Sequence, residues 1–568
     1  MKRVVAALAL SVVVLSTRGA STAGSLSPTI DQFLAPGTPI EIVSAKKAER
    51  LAWTAYEHGL RNVYTAAGPD FAPVRLTNVT KDDGIELSDL SVSDDGAVVV
   101  FVRGGQPNRD GWVANPTADP AGSQRAIWAA RTSGGGAWKL GEGTTPALSP
   151  DGRMVAFAKD GQIYAYQVRL KPDTIEEGAA ATRSSGVSGP SRTPTPLVKA
   201  WGTNGTPVWS PDGSKFAFVS HRVDHALIGI YDARTRAVKF LAPGVDHDSS
   251  PSWSPDGTRV AFIRRAGTPF GLQAHHGAGG IGNPDGPAFN PLNALRGGAA
   301  GRGGRGGGAG RGRGQAAGAP SSDRNGLYDS ALAGGYTLAF VVADVATGEG
   351  KEFWHNQKDD RDFSGISAIT WTGADHVIFE AEPQEWARWY SVSVSHSLPA
   401  PVVLTPGEGA VEQSSVSPDG KVLVYMTNAG DIERRHVWRV PTAGGPSQQL
   451  TKGETIETSP VALLSGRVAV IGGDAKRPFG VGLVPAGGGA PTYIYPSLAR
   501  FPIDAEVTPQ LVLTKAADGM EIHNQLFLPK DLKPGEKRPA IVFVHGGPVR
   551  QMLADDRWRT VAVLRIAD

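Results

Sequence analysis

The sequence contains no cysteine among its 568 residues. This absence excludes disulfide bonds, thiol nucleophiles and zinc sites with thiolate ligands. Lysine and arginine together number 57, aspartate and glutamate 55, so the formal net charge is only +2. A net charge this small creates no strong field that would attract nucleic acid or an anionic membrane. We therefore predict no nucleic-acid partner, and the sequence offers no motif for a metal or a cofactor.

Long apolar runs are also scarce, with one exception at the N-terminus. The basic pair Lys2-Arg3 precedes an apolar run at residues 4–15, and the small residues 21–23 offer a cleavage site. This order is typical of a secretory signal peptide, and the run is too short for a comfortable membrane span. We predict a signal peptide at residues 1–23, a periplasmic or secreted protein, and no stable membrane span after cleavage. An uncleaved membrane anchor is the alternative.

One four-residue pattern recurs along the middle of the chain. In this pattern, proline presets φ at the second turn position, aspartate bonds to its own backbone, and glycine tolerates a positive φ. The pattern therefore predicts a tight turn, and the short segments beside it alternate large apolar with small or polar residues, as half-buried strands do. The copies are Ser93-Asp94-Asp95-Gly96, Ser149-Pro150-Asp151-Gly152, Ser210-Pro211-Asp212-Gly213, Ser254-Pro255-Asp256-Gly257 and Ser417-Pro418-Asp419-Gly420.

The turns belong to a longer repeat. After each turn the sequence continues with two further strand-like segments, and the last often closes on Leu-Thr, as at Leu404-Thr405 and Leu450-Thr451. Four strands about every 45 residues are typical of β-propeller blades. We predict a mainly β fold in which residues 45–498 form an eight-bladed β-propeller after an N-terminal segment at 24–44. A β-sandwich or several small β domains are the alternative.

Two stretches interrupt the repeat. Residues 172–196 form a polar insertion in the third predicted blade, and residues 266–335 interrupt the fifth. The core of the second insertion, residues 296–318, is mostly glycine, alanine and arginine, a composition that buries too little apolar surface to offset chain entropy. We predict a disordered insertion. Arginine-glycine segments also bind single-stranded nucleic acid, but the absence of aromatic residues from this core favours a tolerated loop.

A different pattern follows near the C-terminus. The apolar residues 540–544 run directly into His545-Gly546-Gly547-Pro548. A buried strand that ends in His-Gly-Gly is typical of α/β-hydrolases, in which a backbone N–H of this loop stabilises the tetrahedral intermediate. We predict a partial α/β-hydrolase domain at residues 499–568, with His545, Gly546 and Gly547 as a possible oxyanion-hole loop. An ordinary strand-to-loop turn is the alternative.

The order of these features resembles the prolyl oligopeptidase family of serine peptidases, and particularly its dipeptidyl-peptidase-like and acylaminoacyl-peptidase-like branches. The resemblance implies a propeller that caps an α/β-hydrolase active site and admits short peptides as substrates. It also implies an activated serine, a histidine and an aspartate that act through an acyl-enzyme intermediate. The residues that carry it are the repeated turns, the segment 52–64, Asp518-Gly519-Met520-Glu521-Ile522, Leu526-Phe527-Leu528-Pro529, Arg538-Pro539 and His545-Gly546-Gly547-Pro548.

The sequence departs from this family at the catalytic residues. It contains no Gly-x-Ser-x-Gly, and residues after Leu553 no longer resemble the family, as expected for a fragment or a shifted reading frame. We therefore predict that the catalytic triad is absent and that the α/β-hydrolase domain is incomplete, so that the protein is a truncated, inactive member of an exported peptidase family. The alternatives are a non-catalytic periplasmic β-propeller binding protein and an enzyme that acts through another site.

Two weaker candidates lie in the predicted propeller. Glu380, Glu382 and Glu385 form an acidic cluster in a blade hairpin. The resemblance implies that a propeller glutamate pair could hold the terminal ammonium of a substrate, although the context of these three residues does not match that motif and a solvated loop is the alternative. His221 and His225 flank an aspartate between two predicted strands, and we predict that both are surface residues.

Overall fold

The computed structural model describes residues 27–108, 112–168, 193–222, 224–267, 331–360, 362–383, 385–542 and residue 553. The predicted signal peptide, most of the two insertions and the His-Gly-Gly loop lie outside these residues. The described chain is almost entirely β-structure. One short helix, α1 (Ile30–Leu34), begins with a capping box in which Gln32 N donates to Thr29 Oγ1 and Thr29 N donates to Gln32 Oε1.

Thirty-two strands form eight consecutive four-stranded units, each an antiparallel meander. Unit 1 contains β1 (Thr38–Ser44), β2 (Arg50–Glu57), β3 (Leu60–Ala67) and β4 (Val74–Arg75). Unit 2 contains β5 (Leu87–Val92), β6 (Val98–Arg103), β7 (Ala126–Arg131) and β8 (Ala137–Glu142). Unit 3 contains β9 (Thr144–Leu148), β10 (Met154–Lys159), β11 (Gln162–Gln167) and β12 (Thr195–Val198). Unit 4 contains β13 (Thr203–Trp209), β14 (Lys215–His221), β15 (Ala226–Asp232) and β16 (Val238–Leu241).

The second half of the chain repeats this organisation. Unit 5 contains β17 (His247–Trp253), β18 (Arg259–Arg265), β19 (Leu338–Asp344) and β20 (Gly350–His355). Unit 6 contains β21 (Ile369–Thr372), β22 (His376–Ala381), β23 (Arg388–Ser393) and β24 (Val402–Val403). Unit 7 contains β25 (Val411–Val416), β26 (Val422–Thr427), β27 (His436–Pro441) and β28 (Gln448–Gln449). Unit 8 contains β29 (Ile456–Ala462), β30 (Val468–Gly473), β31 (Gly480–Val484) and β32 (Thr492–Tyr495).

One boundary differs from the sequence prediction. The first unit begins before residue 45, because β1 pairs with β2 from Thr38 onward and so lies within the predicted N-terminal segment. The second insertion leaves the pairing around it intact, since β18 and β19 stay antiparallel neighbours up to the pair of Arg265 and Leu338. Each predicted third strand is present as β15, β19, β23 and β27.

The recurrent turns have one geometry in all five copies, and each joins the first and second strands of a unit. In the copy at residues 254–257, Ser254 Oγ donates to Asp256 Oδ1 at 2.5 Å and accepts from Arg259 N at 3.0 Å. Gly257 N donates to Ser254 O, and φ of Gly257 is +69°, in the left-handed region. These bonds lower the pKa of Asp256 to about 2, chiefly through the Ser254 hydroxyl. The local chemistry predicted from sequence is therefore confirmed.

The Leu-Thr pairs also have a common structural role. Leu76, Leu404 and Leu450 are buried, and each backbone N–H donates to a carbonyl of the third strand. The threonine that follows accepts a hydrogen bond from the N–H of the same third-strand residue, as Thr405 Oγ1 does from Trp389 N at 3.0 Å. The pair thus fastens the end of a very short fourth strand to the third strand.

The units pack in a cyclic order. First strands of successive units contact one another, including β1 with β5, β5 with β9, β9 with β13, β17 with β21 and β25 with β29, and β29 contacts β1. No sheet of the described residues closes on itself through hydrogen bonds; units 4 and 5 share a single parallel bridge between Ala226 and His247. Since first strands meet first strands, they occupy the inner side of the ring. This arrangement is consistent with a β-propeller.

Side chains close the ring between units 8 and 1. Tyr495 on β32 and Tyr64 on β3 each donate to the carboxylate of Glu57, both at 2.7 Å. Burial and this carboxylate raise the pKa of both phenols, so the hydroxyls remain protonated donors. Trp53 stacks on Tyr64 with ring centroids 5.6 Å apart, within an apolar cluster drawn from both units. Closure of the ring between units 8 and 1 therefore depends on side-chain packing and on hydrogen bonds between side chains.

The chain after unit 8 forms a short 3-10 turn (Ile503–Ala505) and one two-stranded hairpin, β33 (Gln510–Lys515) and β34 (Glu521–Leu526). The hairpin confirms the strand predicted around Leu513. The strand predicted at residues 540–544 is not formed at its described residues, where Ile541 and Val542 are exposed and unpaired with any described strand. A strand needs a neighbour for its backbone groups, and none of the described segments provides one here.

Candidate functional site

The predicted oxyanion-hole loop cannot be placed, because His545, Gly546 and Gly547 lie outside the described residues. The acidic cluster is described in part. Glu380 lies on β22, where its backbone pairs with Trp389, while Glu382 and Glu385 are exposed in the connection to β23. A role for these carboxylates in binding an amine therefore stays a prediction.

The two ends of the ring differ in which connections between strands they contain. In a four-stranded meander, the connection between strands 1 and 2 (the 1–2 connection) and that between strands 3 and 4 (the 3–4 connection) lie at one end of the unit. The connection between strands 2 and 3 (the 2–3 connection) and the links between units lie at the other end. The C-terminal hairpin reaches the second end, since His523 Nδ1 on β34 contacts Glu433 Oε1 in the 2–3 connection of unit 7. We call this end the hairpin end and the opposite one the turn end.

A charged cluster surrounds that contact at the hairpin end. Glu433 and Arg435 are almost fully buried, although both belong to a connection. Arg435 Nε donates to Glu412 Oε1 at 2.7 Å, and its Nη1 donates to the carbonyl of Ile432 at 3.2 Å. Arg434 pairs with Asp431 at 3.3 Å. These opposite charges hold the connection of unit 7 in one conformation beneath the C-terminal hairpin.

The cluster continues inward to unit 8 through His436 and Glu457. Glu457, at the start of β29, is fully buried, and its Oε2 lies 3.2 Å from His436 Nδ1 and accepts from Thr451 Oγ1 at 2.6 Å. A buried carboxylate requires such partners, because desolvation without them costs several kcal/mol or more, by order of magnitude. These contacts join units 7 and 8. Among the described residues of this cluster, no nucleophile is placed for covalent chemistry.

A second polar cluster lies at the hairpin end between units 4 and 5. His221 ends β14, His247 begins β17, and His225 Nδ1 lies 2.7 Å from Asp224 Oδ1 in the connection between β14 and β15. Burial lowers the pKa of His221, and burial together with the other two histidines lowers the pKa of His247 to about 4. His221 and His225 are both partly exposed, and the ring brings them close to His247, a contact that the sequence did not predict.

Asp248 follows His247 and anchors the same cluster. Its side chain is 1% exposed and receives both Arg264 Nε at 2.8 Å and Arg264 Nη2 at 2.9 Å. This two-pronged contact satisfies both carboxylate oxygens, as the planar guanidinium does best. Arg264 also donates to the carbonyl of Ala242, which ties the link between the units to strand β18.

Two acidic side chains on the inner strands have raised pKa values: burial raises that of Asp248 to about 6, opposed by Arg264, and Glu41 is the second. Glu41 on β1 accepts from Leu90 N on β5 at 3.1 Å. Burial raises the pKa of Glu41 to about 7, opposed by that backbone hydrogen bond and assisted by nearby Asp89. The value would suit a general acid or base, but the described contacts assign Glu41 to joining units 1 and 2.

No group of three or more His, Asp or Glu side chains is arranged to hold a metal ion within the described residues. Within the same residues, no helix is long and apolar enough to cross a membrane.

No protein-family model matches the chain. Among solved structures, dipeptidyl peptidase 4 of Porphyromonas gingivalis is similar over 90% of this chain, with 12% sequence identity and a TM-score of 0.51. The chain covers 67% of that protein. Puromycin hydrolase (14% identity, TM-score 0.47) and Pyrococcus horikoshii acylaminoacyl peptidase (13% identity, TM-score 0.45) are similar over 93% and 91% of this chain, and the chain covers 65% and 61% of them. The first similarity establishes that this chain has the fold of the corresponding part of a dipeptidyl peptidase.

Sequence reasoning missed the charged cluster of unit 7 and identified only part of the histidine cluster at the hairpin end. The run Glu433-Arg434-Arg435-His436 was the available signal for one of them, since four consecutive ionisable residues in a short connection are unusual beside buried strands. For the histidine cluster, the sequence showed His221 and His225 beside an aspartate, but it gave no signal that His247 would join them. His221 and His247 belong to different units, and only their packing brings the two side chains together.

Proposed function

We propose that this chain provides the eight-bladed propeller and the opening of the α/β-hydrolase domain of an exported serine peptidase of the prolyl oligopeptidase family. In this proposal the propeller caps the hydrolase and admits short peptides. The observation that carries it is the shared fold with a dipeptidyl peptidase along 90% of the chain. The His-Gly-Gly pattern at residues 545–547 follows in the order that the family requires.

The hairpin end is the side of the propeller that we assign to the hydrolase. His523 on the C-terminal hairpin contacts Glu433 there, and the buried Arg435 of the same connection donates to the carbonyl of Ile432. Peptides would therefore meet the charged connections of units 4 to 7 before they reached a hydrolase active site. Export is supported by the basic pair and apolar run at the N-terminus.

This chain itself should not hydrolyse peptides. An acyl-enzyme mechanism requires a serine activated by a neighbouring base, normally on a Gly-x-Ser-x-Gly turn, and the sequence contains no such turn. We expect no turnover of short peptide esters or amides by the purified chain. We also expect no labelling by a fluorophosphonate probe, which reacts only with activated serines. Stoichiometric labelling of one serine, lost when that serine is changed to alanine, would contradict this prediction.

A non-catalytic peptide-binding propeller is the second candidate, favoured by the same missing turn. The coding DNA separates the two. Reading it beyond codon 553 in all frames should reveal Gly-x-Ser-x-Gly, then an aspartate and a histidine, if the propeller belongs to a peptidase. Their absence from every frame would favour the binding protein.

A further inference from the structure

An exposed tryptophan lies in the link between units 3 and 4, at the hairpin end of the ring. Trp201 belongs to the residues that join β12 to β13, and 71% of its surface is exposed. Among the described residues, one other tryptophan is exposed to this degree, Trp112 in the 2–3 connection of unit 2, at 75%. Exposure of a large apolar ring to water is unfavourable, and tryptophan is enriched where proteins bind their partners. The two tryptophans differ in how firmly the fold holds them.

The backbone on both sides of Trp201 is fixed by the side chain of one glutamine. Gln162 on β11 accepts from Ala200 N at 2.9 Å, and its Nε2 donates to Gly202 O at 3.0 Å. The buried Asn204 adds two bonds, since its Nδ2 donates to Gln162 Oε1 and to Ala200 O, both at 3.0 Å. Side chains of units 3 and 4 therefore hold the link in one conformation, with Trp201 between its two anchored neighbours.

The indole ring is held in place as well as the backbone. The guanidinium carbon of Arg222 lies 4.7 Å from the centroid of the Trp201 ring and 5.6 Å from that of Phe240. Glycine at position 202 permits this close approach, because a Cβ there would lie 3.0 Å from Arg222 Cδ and 2.3 Å from the carbonyl of His221. Since most of the Trp201 side chain is still exposed, the arginine covers one face of the ring and leaves the opposite face open.

An aromatic side chain that is both rigid and exposed is prepared for binding. Association normally costs the entropy of ordering side chains and loops at the surface. At Trp201 the bonds of Gln162 and the stacking of Arg222 already impose that order. Trp112 has no comparable support. Its N–H donates to Asn108 Oδ1 at 2.8 Å within the same connection, and its ring makes no aromatic or cation contact with a described residue.

The cation behind the ring decides which group suits the open face. An indole face attracts cations, but the charge of Arg222 already lies on one side of Trp201, and a second cation would face it through the ring. Arg222 forms no ion pair with a described carboxylate, and Asp224, two residues away, lies 2.7 Å from His225 Nδ1. A neutral aromatic ring meets no such repulsion and can stack on the indole in an offset arrangement. The open face therefore suits an aromatic side chain better than a lysine or an arginine.

We propose that Trp201 is a binding platform for an aromatic residue of the peptide ligand. The inference rests on the proposed function, which brings short peptides to the hairpin end, and it adds a preference for peptides that contain an aromatic side chain. The C-terminal hairpin meets the ring at unit 7, three units further along, and leaves Trp201 exposed. The described part of the predicted hydrolase segment therefore does not occupy this position.

The test uses the full chain and three blocked tripeptides that differ only in the central residue. The probes are acetyl-glycyl-phenylalanyl-glycine amide and its leucine and lysine counterparts, whose blocked ends carry no charge. Proton NMR titration of each peptide measures its affinity. The phenylalanine peptide should bind about fivefold more tightly than the leucine peptide, and the lysine peptide should bind most weakly. The phenylalanine ring protons should shift upfield on binding, because they lie over the face of an indole.

Variants assign the binding to this ring. Trp201→Ala should weaken binding of the phenylalanine peptide at least fivefold and abolish the upfield shift, whereas Trp201→Phe should retain part of both. The unfolding temperature should be unchanged in both variants, because the replaced side chain is largely exposed. The matched control is Trp112→Ala, which removes an equally exposed tryptophan from the same end of the ring and should bind the peptide as the unchanged chain does.

The outcomes that overturn the proposal are distinct from failure of the proposed function. Equal affinity of the Trp201→Ala variant, or tighter binding of the leucine or lysine peptide by the unchanged chain, would overturn the platform while peptides still bind. Absence of binding by all three peptides would also overturn it, and the coding DNA would then decide separately whether the chain belongs to a peptidase. A dimer that dissociates in the Trp201→Ala variant would assign the ring to a second copy of this chain instead.

Discussion

His247 shows at the residue scale how the ring changes the chemistry of a side chain. It begins β17 and faces His221 and His225 from unit 4, with Asp224 and Asp246 as the nearest acidic groups. Burial is the largest cause of its lowered pKa, and the two other histidines add to the effect. In the folded ring His247 therefore stays neutral at a pH at which it is protonated in the unfolded chain.

A pH dependence of stability follows from this difference. The unfolded chain takes up a proton at His247 near its usual pKa of about 6.5, whereas the folded chain resists until about pH 4. Stability from this residue is therefore complete above pH 7 and is lost as the pH falls from 6.5 toward 4. Between pH 7 and pH 5 the loss should be about 2 kcal/mol.

The His247→Gln variant isolates this contribution. Its free energy of unfolding, measured by urea titration at both pH values, should fall less between pH 7 and pH 5 than that of the unchanged chain. His221 remains in both proteins, so its own contribution to the pH dependence of the free energy of unfolding is present in both. An equal fall in both proteins would show that His247 is already charged in the folded ring.

The recurrent turn is the clearest feature at the scale of single elements. Its serine, aspartate and glycine satisfy one another within four residues, and the same hydrogen bonds recur in units 2, 3, 4, 5 and 7. These local bonds define the turn between the first and second strands, and bonds between turns of neighbouring units, such as Asp94 N to the carbonyl of Pro150, add to them. Units 1, 6 and 8 lack the pattern and make their turns with other residues.

Gly257 tests the backbone requirement of this turn. Its φ of +69° is left-handed, and a Cβ there would meet Pro211 Cδ at 3.7 Å, an ordinary contact. Gly257→Ala should therefore lower the free energy of unfolding through backbone strain alone, by about 1 kcal/mol. Gly365→Ala is the control, because it has no left-handed φ and no atom within 4 Å of the added methyl. A loss of equal size at Gly365 would contradict the explanation.

At the scale of the whole molecule, the closed ring and the segment after it differ in how well they are covered. Phe501 is 6% exposed and meets Phe33 of α1 edge to face, so the chain is still packed against other described residues at this point. Beyond residue 507 the side chains of the hairpin point largely to solvent, with Leu513 57% and Met520 66% exposed. The predicted domain boundary at residue 499 therefore falls before the last residues that pack in this way.

We expect a chain that ends at residue 507 to give more soluble protein than the full chain. Each large apolar side chain left exposed forgoes roughly 1.5–3 kcal/mol of burial, and an open strand edge invites pairing with other chains. The deletion also removes Leu553, which is buried in the cluster between units 1 and 8. Soluble yield and resistance to limited proteolysis would measure whether removing the exposed apolar residues outweighs the loss of Leu553.

A chain that ends at residue 498 is the matched control for this deletion. It lacks Phe501 and the buried Glu506 as well, and should be less stable than the chain that ends at 507. If the chain that ends at 507 unfolds or aggregates more than the full chain, the C-terminal hairpin is a structural part of the ring.

The sequence by itself determined the local elements of this protein. The turns, the paired strands around them and the closing Leu-Thr contacts follow from residues within one unit, because their hydrogen bonds join neighbours along the chain. The repeat length then predicted how many units there would be. Local sequence alone was insufficient to form a strand at residues 540–542. Their apolar pattern predicted a strand, but no described strand pairs with them.

Only the tertiary structure decided which distant side chains meet. The closure of Glu57 on Tyr495 and the buried pair of His436 and Glu457 both depend on the packing of one unit on the next. Local propensity carries no information about such contacts, because they arise from the angle and order in which whole units pack.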